Sequence, residues 1–269
     1  MNALSSFEHD IHAVDAGYVR PLLAAIHLIV ENGRGAIVDS GSNASVAPLL
    51  EALMALGLSP DAVDYLILTH IHLDHAGGAG ALMGRLPNAR LVVHPRGVAH
   101  MVDPSRLVAG VTAVYGAAAV RSLYGEILPI AKNRIIPATN GLVVDLAGRE
   151  LLCLDTPGHA RHHISVHDRR SSSIFTGDIF GLSYRELDRG ERQFIFPTTT
   201  PVQFDPLAMH ASIDLLLSHA PQVVYLTHYS QVRDVAAKAV RLHELIDAHV
   251  SIARDAQTAG SQRQARIHA

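Results

Sequence analysis

Apolar positions along the chain fall into short runs separated by turn-forming residues. Leu28-Ile29-Val30, then Glu31-Asn32-Gly33-Arg34-Gly35, then Ala36-Ile37-Val38 reads as two strands joined by a glycine-rich hairpin. Asp39-Ser40-Gly41 ends the second strand. Residues 45–57 carry apolar side chains at helical spacing and stop at Gly57, which suits a helix C-terminus. Residues 63–68 form a buried-strand run that delivers Thr69-His70. The second half repeats the plan. Ser173-Ile174-Phe175 leads to Gly177-Asp178, a helix is predicted over about 206–219, and Val223-Val224-Tyr225-Leu226 delivers Thr227-His228. Strand-Asp, helix, strand-Thr-His therefore occurs twice, a weak internal duplication of an αβ half. Two such halves predict sheet stacked on sheet with helices outside: an α/β fold of the αββα four-layer sandwich type.

Between the halves the pattern gives a strand at Leu91-Val92-Val93 and a helical or irregular stretch at about 96–130. A hairpin near Gly141 and Gly148 and a strand at Leu151-Leu152-Cys153-Leu154 follow. One long amphipathic helix is predicted over roughly 231–256, and residues 257–269 lack an apolar face and are expected to fray. No linker-like segment divides residues 1–256, which are read as one domain.

Composition sharpens this. Of the 269 residues 48% are hydrophobic and 17% charged, enough for a large core and too little charge for disorder. The net charge of -3 contains no block of one sign, and the arginines are scattered apart from Arg169-Arg170. No nucleic-acid or anionic-membrane partner is expected; a small molecule is, and self-association stays open. The first ten residues do not read as a secretory leader, and the apolar run at 22–30, interrupted by His27, is too short to span a bilayer, so cytoplasmic residence is expected. Cys153, the one cysteine, sits in an apolar strand and reads as a small core residue. The unusual figure is 18 histidines, since imidazole is the commonest side-chain metal ligand.

Those histidines are placed as well as abundant. Thr69-His70-Ile71-His72-Leu73-Asp74-His75 follows a strand directly. Alternate residues of an extended segment point the same way, so His70 and His72 can face one point, and a turn at Asp74 lets Asp74 and His75 face a second. Gly77, Gly78 and Gly80 then allow a tight turn before a helix near Ala81. Three imidazoles and a carboxylate at this spacing suit a borderline-soft divalent ion.

His-x-His-x-Asp-His after a strand resembles the signature of the metallo-β-lactamase superfamily. Asp155-Thr156-Pro157-Gly158-His159, Thr176-Gly177-Asp178 and Leu226-Thr227-His228 resemble its further motifs, in order. The resemblance implies one ion on His70, His72 and His159, a second on Asp74, His75 and His228, and Asp178 bridging them. Two divalent ions are implied, zinc first, with iron or manganese as alternatives. Asp39 fits the family's supporting aspartate, and His163 is expected beside the site without binding metal. His9, His12, His27, His94, His100, His162, His167, His210, His219, His243, His249 and His268 have no motif around them and are read as surface or core residues.

Within the superfamily the residues resemble the glyoxalase II and lactonase side. That implies a dinuclear-metal hydrolase of a small acyl ester, thioester or lactone, using a metal-bridging hydroxide oriented by Asp74. Iron-dependent persulfide dioxygenases and phosphodiesterases share the scaffold and are the alternatives. Segments 96–130 and 180–204 are expected to wall the pocket. Tyr115, Tyr124, Phe180, Tyr184, Phe194 and Phe196 are candidate lining residues, each with packing as the more ordinary role, and Arg185, Arg189 and Arg192 could bind a substrate anion.

Overall fold

The computed structural model describes residues 4–199 and 203–258. The first half forms β1 (Leu4–Phe7), β2 (Ile11–Asp15), β3 (Ala25–Glu31), β4 (Arg34–Val38), α1 (Val46–Ala55), β5 (Val63–Ile67), α2 (Leu73–Ala76), α3 (Ala79–Met83) and β6 (Arg90–Val93). Helices α4 (Pro95–Val102), α5 (Ser105–Tyr115) and α6 (Ala117–Tyr124) follow, then β7 (Ile135–Pro137). The second half comprises β8 (Val143–Leu146), β9 (Arg149–Asp155), β10 (Ile164–Asp168), β11 (Ser173–Gly177), α7 (Pro206–Ser218), β12 (Val223–Leu226), β13 (Ser230–Val232) and α8 (Val235–Thr258).

Strands β1 to β7 make one sheet in sequence order, and β13-β12-β11-β10-β9-β8 make the other. The two sheets face each other. Ile29, Ala36, Val38, Ile67 and Val92 of the first pack against Leu151, Cys153, Val166, Phe175 and Tyr225 of the second. The opposite faces bind helices: Leu28, Ile37 and Leu66 meet Leu49 and Leu53 of α1, while Ile174 and Val224 meet Ile213 of α7 and Leu242 of α8. Successive strand residues feed opposite layers, as Leu66 and Ile67 do, because side chains alternate across a sheet. This is the αββα sandwich that the apolar pattern predicts. The two repeated units also match, since β4-α1-β5 and β11-α7-β12 each return the chain to a parallel neighbour. Helix α7 starts on two local signals: the Asp205 side chain accepts from Ala208 N and Pro206 opens the first turn. Such a cap contributes about 1 kcal/mol.

Several elements differ from the sequence reading. Strands β1, β2, β7 and β10 were not anticipated. In β10 every residue is buried, but Ser165, His167 and Asp168 break the apolar run. Buried Arg149 compensates Asp168, with Nη2 donating to Oδ2 at 2.5 Å. The last helix begins at Val235, because Ser230–Val232 pair with β12 first. The helical or irregular stretch at 96–130 resolves into α4, α5 and α6. The helix runs through Thr258, so the expected frayed tail falls, from residue 259 on, outside the described residues. Gly77 and Gly78 are right-handed, with φ of -61° and -83°, and no special turn requires them. Close approach does: a Cβ on Gly78 would lie 2.6 Å from Ser42 O, and one on Gly80 2.1 Å from Leu128 O.

Candidate metal centre

The ends of β5, β9, β11 and β12 converge at one rim of the sandwich, and each delivers a ligand-type side chain. His70 and His72 leave β5 in extended backbone, and Asp74 and His75 follow on the short helix α2. His159 lies in the loop after β9, Asp178 directly after β11, and His228 just beyond β12. Together these seven residues compose three overlapping groups: His70, His72 and His159; His70, His75 and Asp178; Asp74, His75 and His228.

His72 Nδ1 lies 2.9 Å from His70 Nε2 and 3.0 Å from His159 Nε2, so three ring nitrogens converge. Asp178 faces both ways. Its Oδ2 is 3.4 Å from His159 Nε2, while its Oδ1 is 3.4 Å from His75 Nε2 and 3.6 Å from His228 Nε2. Asp74 Oδ2 completes the second group, 3.4 Å from His228 Nε2 and 3.7 Å from His75 Nε2.

The far side of three of the five rings is tied down. His75 Nδ1 donates to Asp39 Oδ2 at 2.8 Å, His159 Nδ1 to Thr198 O at 3.2 Å, and His228 Nδ1 to Leu23 O at 2.8 Å. A carbonyl oxygen can only accept, so Nδ1 carries the proton and the Nε2 lone pair points inward, the arrangement that orients metal ligands. Asp39 also accepts from Thr69 N and Thr69 Oγ1 at 2.8 and 2.9 Å and from Thr227 Oγ1 at 2.8 Å. The repeated Thr-His at the two strand ends thus has a physical basis: both threonines bind one carboxylate. His163 sits behind Asp178, its Nε2 accepting from Asp178 N at 3.2 Å and its Nδ1 meeting Thr156 Oγ1 at 2.9 Å.

Electrostatics follow from burial and from the three carboxylates. Burial holds His70 well below its usual range and pushes His72 down to about 4. Both are therefore neutral, as metal-binding imidazoles must be. Burial also works against a charge on His75, but Asp178, Asp74 and Asp39 outweigh it and push His75 up to about 10. Burial would raise Asp74 and Asp178, yet the surrounding histidines hold both below the ordinary carboxylate range. The pocket wants positive charge where His75, Asp74 and Asp178 meet. Among the described residues, His75 Nε2 and Asp178 Oδ1 are buried without a hydrogen-bond partner, only 3.4 Å apart. An orphaned ring nitrogen facing an orphaned carboxylate oxygen fits a divalent cation, which would stand where the second proton of His75 otherwise sits, and the nitrogen-oxygen donor set suits one.

Asp155, which opens the motif carrying His159, is not in this cluster; it pairs with His94 Nε2 at 3.4 Å. Phe180 belongs to the core between the second sheet and α7/α8, and Phe194 and Phe196 stack over a groove along α8. Tyr184 does approach the centre, its ring 6.5 Å from that of His228. Three neighbours were missed. Tyr18 stacks on Tyr124, their hydroxyls 2.9 Å apart. Burial, that bond and nearby Asp74 all raise the Tyr18 hydroxyl above its usual range. Arg20 lies over the Tyr184 ring at 4.9 Å. His162 lies parallel to His70 at 6.2 Å. None carries a motif.

A helix-flanked pair of sheets with a His/Asp cluster at its rim, able to hold a divalent ion, defines an α/β protein of the two-sheet sandwich class. The chain belongs to the metallo-beta-lactamase superfamily, whose family profile matches residues 19–228. Among curated proteins it is similar to the metallo-beta-lactamase fold-containing protein ST1585 of Sulfurisphaera tokodaii, 26% identical over 81% of this chain and 77% of that one. The hydroxyacylglutathione hydrolase of Stenotrophomonas maltophilia is 32% identical over 61% of this chain and 48% of its own length. The chain thus spans about half the length of that relative. The crystal structure of ST1585 superposes with a TM-score of 0.69 at 24% identity, covering 90% of this chain and 85% of that one. The chemotaxis sensor ODP, solved as a peroxy diiron species, gives 0.63 at 17% identity, covering 90% and 94%. These two likenesses establish the fold. Among the described residues no single helix is long and apolar enough to cross a membrane.

Proposed function

We propose that the protein is a cytoplasmic hydrolase of a small acyl ester, thioester or lactone, working with two divalent ions, zinc first. The observation that carries this reading is the divided aim of Asp178, with Oδ2 toward His159 and Oδ1 toward His75 and His228. His70, His72 and His159 would hold one ion, Asp74, His75 and His228 the other, and Asp178 would lie between. Three or four protein ligands on each ion leave a coordination position open, as catalytic sites do. When bound, such a pair lowers the pKa of a water and polarises a substrate oxygen.

The chain's own residues supply the positioning. Asp39 fixes the ring of His75, and the carbonyls of Thr198 and Leu23 fix those of His159 and His228. His163 fixes the backbone that aims Asp178. Asp74 is 23% exposed whereas His75 is fully buried, so it faces the mouth of the site and is placed to orient an incoming water. Arg185 spends its donors on Ser183 O and pairs with Asp188 at 3.4 Å. Of the three arginines that could bind an anion this one is thus engaged, which weighs against a phosphodiester held at Arg185. The likeness to a hydroxyacylglutathione hydrolase adds support.

The test is kcat/KM of the zinc form for an acyl thioester, an acyl lactone and bis-p-nitrophenyl phosphate, with oxygen uptake on a persulfide measured for the iron form. Preference for one of the acyl substrates is expected. Preference for the phosphodiester, or fast iron-dependent oxygen consumption, would overturn the reading.

A further inference from the structure

The loop between β2 and β3, residues 16–24, runs along the rim, where Leu23 O accepts from His228 Nδ1. It carries Tyr18 onto Tyr124, the last residue of α6. The rings stack with centroids 5.8 Å apart and planes 21° apart, and the hydroxyls stand 2.9 Å from each other. Tyr124 and Val120 cluster with Leu73, the residue between the ligand positions His72 and Asp74, so the pair lies beside the mouth that Asp74 faces. Its place is fixed from behind. Asn43 Nδ2 donates to Glu126 O at 2.7 Å, and a Cβ on Gly125, which ends α6, would lie 2.7 Å from that same nitrogen. Burial chiefly, and the nearby charge of Asp74 after it, hold both hydroxyls above their usual range, so both keep their protons at neutral pH.

Two phenols that share one hydrogen bond hold two protons and use one of them. Whichever hydroxyl donates, the other keeps an O–H to give, and among the described residues neither has another hydrogen-bond partner. That spare donor is left for water or substrate. A product has to leave through the mouth, so the departing atom of the substrate is the one that passes the pair. Resting on the acyl-hydrolase reading above, we propose that Tyr18 and Tyr124 are specificity-determining residues. Their spare O–H donates to the departing oxygen and so selects an oxygen ester or lactone over the matching thioester. Water adds its oxygen to the carbonyl carbon, the acyl C–O bond breaks with its electron pair on the departing oxygen, and a proton of that water ends on the alcohol formed. The tyrosine proton is shared during the step and stays on tyrosine. Charge on the departing oxygen is greater at bond breaking than in the bound ester, so a fixed donor there speeds the step. Sulfur accepts hydrogen bonds weakly, and a thiolate, from a thiol of pKa about 8.5, leaves without such help.

The test compares kcat/KM for γ-butyrolactone and γ-thiobutyrolactone in wild type, Tyr18→Phe, Tyr124→Phe and the double variant, with metal content measured alongside. Phenylalanine keeps the stack and removes only the hydroxyl. In the double variant the lactone value should fall about 10–100-fold and the thiolactone value by less than about threefold, at unchanged metal content. Binding is read apart from turnover: the chain has 7 tyrosines and no tryptophan, so its near-ultraviolet difference spectrum is dominated by tyrosine. Lactone should give a tyrosine difference band in wild type that the double variant lacks. Equal losses on the two rings, lactone turnover in the double variant close to that of wild type, or a band that is absent from wild type or the same in both proteins would overturn the assignment. Failure of wild type to open either ring, with its band present, would instead overturn the acyl-hydrolase reading and leave the hydroxyl pair as a ligand contact.

Discussion

Asp39 and Thr227 stand 188 residues apart and on different sheets, yet the Thr227 hydroxyl donates to Asp39 Oδ2 at 2.8 Å, the same oxygen that accepts from His75 Nδ1. One carboxylate therefore joins the two halves of the sandwich and aims a metal-ligand candidate. In Asp39→Asn an amide N–H group would face these donors. Metal affinity on the His75 side should fall about 10–100-fold, measured by chelator competition. Unchanged retention of both ions would show that Asp39 does not orient His75.

Asp178 lies between the two groups of nitrogens and is their shared carboxylate. Asp178→Ala removes the negative charge that two cations would share. Turnover should be abolished and at least one equivalent of metal lost, while circular dichroism stays that of the folded protein. Full metal content with near-native activity would exclude the bridging role.

Gly158 immediately precedes His159 and has φ +138°; a Cβ there would lie 2.4 Å from Met209 Cα and 2.5 Å from Met209 N. Gly158→Ala must displace α7 and should cost about 2–4 kcal/mol in urea unfolding. Gly33→Ala is the control. It has φ +75° with nothing within 4 Å of the added carbon, and should cost only about 1–2 kcal/mol. Equal costs at the two positions would mean that backbone conformation, not the approach of α7, governs Gly158.

His27 is buried against Phe175 and Tyr225, and burial pushes it down to about 4. An unfolded chain binds this proton near pH 6.5, the folded one only near 4. Its contribution is therefore fully present above pH 6.5 and is lost as pH falls toward 4, amounting to roughly 3 kcal/mol. His27→Gln should flatten the fall in urea stability across that window by a comparable amount. An unaltered slope would place the acid sensitivity elsewhere, for instance on His162, which burial pushes to about 3.

The sequence by itself determined which residues could serve as ligands and that two sheets stack with helices outside. His70, His72, Asp74 and His75 are neighbours in the chain, so their convergence needs only local extended-then-turned backbone. Near-continuous apolar runs such as 63–68 and 223–226 mark strands buried on both faces without reference to anything distant. Position in three dimensions was another matter. Tyr18, Arg20 and His162 reach the rim through contacts with residues far along the chain, and no local pattern marks them. Strand β10 was hidden because its polar residues are satisfied by Arg149 and other groups that burial alone brings near. The crossed pairs of α7 and α8, His210 with Asp247 and Asp214 with His243, were invisible for the same reason. A spacing of four says which side of a helix a residue takes, but only the packing of the two helices on one sheet decides what stands opposite.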